Sequence, residues 1–191
     1  ITVKITTGQL LKLQLRTWLQ GSFDPNTQLM RDGLRTALLL PITQPYNNPI
    51  FKYTGSEVLS NVLRDTQGVD APVDWLLVEL RSSTAPATIL WQQAAILQRD
   101  GDIVDPRTGN NQLIIDDLPA SQYYIALRHR NHLAIMTEKS VAVLHNSITW
   151  LDFGLATTAT YGSNSRFMSS GKAAMWAGDA TVDKWLKADG T

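Results

Sequence analysis

The 191-residue chain reads as an all-β protein, an antiparallel β-sandwich of immunoglobulin-like or related type with long loops and at most one or two short helices. Three observations predict it. Apolar and polar residues alternate with a period of two in Ile1-Thr2-Val3-Lys4-Ile5 and again in Leu11-Lys12-Leu13-Gln14-Leu15-Arg16. The run Val73 to Arg81, VDWLLVELR, is rich in residues that pack well on a pleated surface. Short segments of this kind recur along the chain with turn signals between them at spacings of about eight to twelve residues, the rhythm of a sandwich. A single domain over residues 1–191 is the simplest organisation, with an N-terminal strand segment 1–20, a long connection 41–70 and a loop-rich part 154–191.

In chain order, two half-buried strands open the sequence, separated by Thr7-Gly8-Gln9. Extending the second strand places Leu19 on its apolar face and Trp18 on its water-facing one. Gly21 to Asn26 predicts a turn, after which Leu29, Met30, Leu34 and Leu38 have the spacing of a short helix weakened by Gly33 and ended by Pro41. Pro45, Pro49, Gly55 and Gly68 punctuate the long connection, which has room for one short strand around Ile50 to Tyr53. Strands are then expected at Val73 to Arg81 and Ile89 to Gln98, with a helical turn over Gln92 to Leu97 as the alternative for the second, followed by hairpin chemistry at Arg99-Asp100-Gly101-Asp102 and a return strand from Ile103. Leu113 to Ile115, Tyr123 to Arg128, Leu133 to Met136, Val141 to Leu144 and Ile148 to Phe153 continue the series. Thr157 to Gly171 reads as a loop, Lys172 to Ala177 as a last strand, and Val182, Trp185 and Leu186 as docking side chains of the tail.

Seventeen basic and seventeen acidic residues cancel, which removes the long-range attraction that nucleic acid or an anionic membrane would need and lowers the barrier to self-association. With no cysteine, disulfides, thiolate metal sites and cysteine nucleophiles are excluded. No apolar run approaches the roughly 18 to 20 residues of a membrane-spanning helix. A strand pattern starting at Ile1 without a methionine leads us to expect an N-terminus exposed by processing, hence a secreted protein.

Chemistry is most concentrated in Tyr123 to Thr137, YYIALRHRNHLAIMT, where an alternating strand runs into Arg128, His129, Arg130, Asn131 and His132. Neighbouring side chains of a strand point to opposite faces, so these five converge only where the strand ends. One reading is a contact site for a partner, carboxylate or sugar, joined by Trp18. The other is structural, the arginines pairing with loop carboxylates such as Asp105, Asp116 or Asp117 and the histidines with backbone groups. A zinc site from His129, His132 and His145 lacks the H-E-x-x-H helix spacing. No G-x-S-x-G elbow, G-x-G-x-x-G or Walker loop is present, so hydrolase and nucleotide chemistry have no sequence support. Asp100, Asp102 and Asp105 around Gly101 have spacing that could suit calcium, but Asp-Gly-Asp is ordinary hairpin chemistry, which is the reading we favour, and no cofactor is expected.

The ordered segments WLQGSFDPNTQLM, LPITQPY, VDWLLVELR, AAILQRDGDIVD, YYIALRHRNHLAIMT and AMWAGDA resemble a β-rich module in the C-terminal parts of large secreted or surface proteins of Bacteroidota and related bacteria. The resemblance covers Trp18 to Ala180 and implies an extracellular, non-enzymatic module. Relatives often continue into a dockerin-like G-D-A-N-G-D-G sequence, from which Thr181, Val182 and Lys184 depart, so calcium is not implied there.

Together these observations lead us to expect an extracellular structural or adhesive module acting through protein–protein contacts. Its partners would be copies of itself or other surface proteins, with Ile1, Val3 and Ile5 forming a self-assembly strand. The alternative is a carbohydrate-binding module presenting Trp18, Trp75 and Trp91 beside the Arg–His–Asn run.

Overall fold

A computed structural model describes residues 10–178. The strands are β1 (Leu11–Arg16), β2 (Phe23–Asp24), β3 (Leu29–Met30), β4 (Pro72–Ser82), β5 (Ile89–Gln98), β6 (Asp102–Val104), β7 (Leu113–Ile115), β8 (Ser121–His129), β9 (His132–Met136), β10 (Val141–Val143), β11 (Ile148–Asp152), β12 (Phe167–Ser169) and β13 (Lys172–Ala174). Two short helices, α1 (Gly33–Thr36) and α2 (Asn61–Asp65), precede β4. The chain is all-β, as its alternating segments predict.

Nine strands form one sheet in the order β10-β8-β4-β5-β6-β1-β11, with β7 beside the first half of β1 and β9 beside β8. All of its pairings are antiparallel except β1 with β11. The sheet curls until its end strands approach, where the Thr149 hydroxyl donates to the Ala142 carbonyl at 3.2 Å. Its two halves therefore face each other across one core in a sandwich-like way. Leu11, Leu13 and Leu15 of β1 enter that core with Leu76, Val78 and Leu80 of β4 and Ile125 and Leu127 of β8.

β4 is buried on both faces. Its other side, with Trp75 and Leu77, packs beneath the long connection, where Tyr46, Phe51, Tyr53, Leu59 and Leu63 form a second core. This explains the near-continuous apolar sequence of β4, since a strand covered on both sides has no polar face to alternate with. Two hydrogen bonds pin the connection down: the Tyr46 hydroxyl donates to the Trp75 carbonyl at 2.7 Å, and the Trp75 indole to the Pro41 carbonyl at 2.7 Å.

Several local expectations give way to tertiary structure. Leu29 and Met30 belong to the small β2–β3 hairpin, and only one helical turn follows, because the chain leaves the helix with Leu38 in the left-handed region at φ 58°. Ile50 to Tyr53 is not a strand: Lys52 has φ 53°, and the Asn48 side chain accepts from the amides of Ile50 and Phe51, folding the segment into turns. Within the expected loop 157–171, Phe167–Ser169 pairs with Lys172–Ala174 as a hairpin too short to show a period.

Trp18 is not on a water-facing surface. The ladder of β1 stops at Arg16, so alternation cannot be carried forward to residue 18, and the indole is 1% exposed. It lies against Gly101 and Gly154, where an added Cβ would come within 2.8 and 2.1 Å of the ring, and the Lys172 ammonium sits 4.3 Å from its centroid. The carboxylates near Gly101 are engaged by protein donors. Asp102 and Asp100 pair with Arg16 at 2.6 and 3.5 Å, and Asp105 accepts from the amides of Arg107 and Thr108.

Trp18→Ala removes the indole from a site closed by two glycines and is expected to lower the unfolding free energy by about 3–5 kcal/mol. A urea titration measures this. A loss below about 1 kcal/mol would mean that the indole is not part of the cooperative core.

Candidate functional site

The two carboxylates in the apolar run of β4, Asp74 and Glu79, organise the polar chemistry of the molecule. A carboxylate taken into a strand buried on both faces needs counter-charge or hydrogen-bond donors in its own layer. Antiparallel β8 supplies them, because its register sets Arg128 opposite Leu77 and carries the chain into the β8–β9 hairpin beside Asp74.

At Asp74, His129 Nε2 lies 3.1 Å from Oδ2, and Arg130 Nη2 reaches both oxygens at 2.8 and 2.9 Å. His129 Nδ1 accepts from the Asn131 amide at 3.2 Å, so the ring carries its proton on Nε2, toward Asp74. His132 Nδ1 then stands 3.0 Å from His129 Nδ1 and 2.9 Å from Asn131 Oδ1, a donor facing two acceptors. Its Nε2 accepts from the Gly21 amide at 3.4 Å. In this arrangement every ring nitrogen has a partner. Burial, and after it the neighbouring His129, push the His132 pKa down to about 3. The cluster ties the β8–β9 hairpin to β4 and to the turn at Gly21. His129 and His132 are buried and offer no surface to a ligand, and Arg130 is committed to Asp74.

His145 is elsewhere, accepting from the Ala120 amide at 3.3 Å at the opposite end of β8. The expected pairing of the arginines with Asp105, Asp116 or Asp117 is replaced by pairing with Asp74 and Glu79, carboxylates that local sequence spacing places far from the hairpin. Among the described residues no group of three or more His, Cys, Asp or Glu has a metal-holding arrangement. Ile1, Val3 and Ile5 lie outside the described residues, as do Val182, Trp185 and Leu186.

Around Glu79 the same chemistry reaches solvent through its arginine partners. Its side chain is 0% exposed; Oε2 accepts from Arg81 Nε and Nη2 at 2.8 and 2.5 Å, and Oε1 from Gln92 Nε2 at 3.0 Å and Arg128 Nη1 at 3.3 Å. Arg128 lies 4.5 Å over the Phe51 ring. Arg81, Gln92 and Arg128, with Glu79 buried beneath them, floor a cleft of about 1250 Å³ on the outer face of the sheet, walled by residues 50–54 of the long connection, the first half of β5 and residues Tyr161 and Ser165. The register places Gln92, Glu79, Ala126 and Met136 in one row across β5, β4, β8 and β9. One end of the floor is charged and the other apolar, with the small Ala126 between them. Of the five residues in the Arg–His–Asn run, only Arg128 reaches this cleft.

Beside the cleft, β5 has an open edge. β6 pairs with Ile96 and Leu97 alone, the Ala94 amide is taken by the Tyr53 hydroxyl at 3.2 Å, and among the described residues Ile89 to Gln93 has no strand partner on that side. Ile89 and Leu90 are exposed there. Of the tryptophans proposed as sugar contacts, Trp18 and Trp75 are buried, and Trp91 is half-buried at the cleft wall. Trp150 on β11, which sequence reasoning passed over, is 53% exposed beside Gln14 of β1. Glu79 was also missed, although a carboxylate inside a run as apolar as VDWLLVELR signals a buried ion pair.

Two outcomes follow. Between pH 6.5 and about 3 the unfolded chain takes up a proton that His132 refuses in the fold, so the stability His132 contributes is complete above pH 6.5 and is lost as pH falls. The expected slope from this one group is about 1.4 kcal/mol per pH unit, measured by denaturant titrations across that window. His132→Gln should flatten the slope, and an unchanged slope would place the acid sensitivity elsewhere. Glu79→Ala strands two half-buried guanidinium groups and is expected to cost about 3–5 kcal/mol, read by the same titrations at neutral pH. No protein-family model, curated protein or solved structure matches the chain, and the reading of the site rests on its geometry.

Proposed function

We propose that the chain is an extracellular, non-enzymatic structural or adhesive module that works by protein–protein contact. In this reading copies of it assemble, the segment Ile1 to Ile5 of one adding as a strand to the open edge of β5 in the next. The observation that carries the reading is that edge. Among the described residues Ile89 to Gln93 has no ladder on that side, next to exposed Ile89 and Leu90, an arrangement that templates pairing with another extended chain. The alternation of Ile1, Val3 and Ile5 with Thr2 and Lys4 supplies such a chain with one apolar face, and the zero net charge of the whole removes a barrier to bringing copies together. The resemblance to modules of large surface proteins agrees with this setting.

A sugar contact is the second reading, and it moves to Trp150, whose indole stands on a sheet surface beside the amide of Gln14. A glycan array on which the parent and Trp150→Ala proteins give the same signals would remove it.

Removing residues 1–7, or replacing Leu90 by Lys to place a charge on the edge, is expected to abolish ordered assemblies seen by electron microscopy while the melting transition is kept. Assemblies that persist in both variants would sink the strand-addition reading.

A further inference from the structure

We infer that the floor of the outer-face cleft is a binding site for a peptide segment that carries a carboxylate next to an apolar side chain. The inference uses the floor and not the β5 edge, and it stands whether or not copies assemble through that edge.

Among the described residues Glu79 is the single carboxylate within hydrogen-bond reach of two guanidiniums, Arg81 and Arg128, and each of its oxygens already accepts two donors. Within the described residues one positive charge is left over in a half-buried setting, the two arginine side chains being 21% and 14% exposed. Donors are left over as well. Arg81 spends three N–H groups, on Glu79 and the Pro86 carbonyl, and Arg128 two, on Glu79 and the Ile50 carbonyl, out of the five each guanidinium carries. Spare forked donors with uncompensated charge, held in place by a buried anchor and by the Phe51 ring, match a carboxylate. Lys52 and Asp117 at the rim cancel and leave that surplus intact.

Geometry then selects the peptide. The floor continues from Arg81 and Arg128, held over the buried Glu79, past Ala126 to Met136, so a chain laid across the strands with its carboxylate over the arginines sets its neighbouring side chain on an apolar surface. Met136 is a flexible apolar contact suited to varied partner side chains. A uronic-acid oligosaccharide shares the carboxylate but brings hydroxyl groups to this apolar half, where they lack partners.

The test titrates the full chain with a fluorescein-labelled octapeptide of alternating glutamate and leucine, and with its counterpart bearing glutamine at every glutamate. The glutamate peptide is expected to bind at least about tenfold more tightly, with a gap that narrows as salt is raised. Two variants keep the Arg–Glu network: Ala126→Phe fills the middle of the floor, and Met136→Glu places a competing carboxylate in the apolar half. Each, if its melting transition is retained, should weaken the glutamate peptide by about tenfold or more. Equal binding of the two peptides, or affinity unchanged in a folded variant, overturns the inference. Tighter binding of oligogalacturonate than of the peptide, lost in the same variants, would assign the site to an acidic glycan instead and overturn the peptide assignment.

Discussion

The burial of two carboxylates in β4 is the constraint on which the rest of the structure depends. Asp74 and Glu79 sit in a strand covered on both faces, where an unpaired charge would be prohibitive. Both are met from β8 and the turn that follows it: Arg128 reaches Glu79, and His129 and Arg130 reach Asp74. A shift of β8 by one residue against β4 would turn Arg128 into the core and leave Glu79 short of a partner. The ion pairs therefore specify register at the centre of the sheet, as alternation does along β1.

From that register the two polar sites diverge in character. The Asp74 end is closed by the β8–β9 hairpin and the Gly21 turn, and its donors and acceptors satisfy one another, so it acts as a fastening. The arginines at the Glu79 end open on the outer face, into a cleft that residues 50–54 of the long connection help to wall. The same pairing of carboxylate and arginine is structural where it is saturated and available for binding where donors remain. The long connection serves both purposes, covering Trp75 and Leu77 with Tyr46 and Phe51 while its residues 50–54 form a wall of the cleft.

Much of the fold was legible in the residues. The alternation of Leu11, Leu13 and Leu15 marks β1, the apolar run of β4 marks a strand buried on both sides, and β5 spans the expected residues Ile89 to Gln98. The errors fall where a strand stops without a sequence signal. Trp18 was assigned to a surface by carrying alternation past Arg16, whereas the chain there turns over Gly101 and Gly154. The apolar spacing of Leu29 to Leu38 mimics a helix, but Met30 is drawn into the main core and Leu38 adopts a left-handed conformation, so one turn remains.

The candidate site was half visible. Arg128 stood out in a donor-rich run, while its partner Glu79 lies 49 positions away and no local pattern joins them. Residue order alone established the all-β class, most strand positions and the cancelling charge, because alternation and composition are local properties carried by each segment. Which carboxylates meet which arginines, which tryptophan reaches solvent and where an edge stays open were decided only by the curling of the sheet, because burial and pairing belong to residues brought together across it.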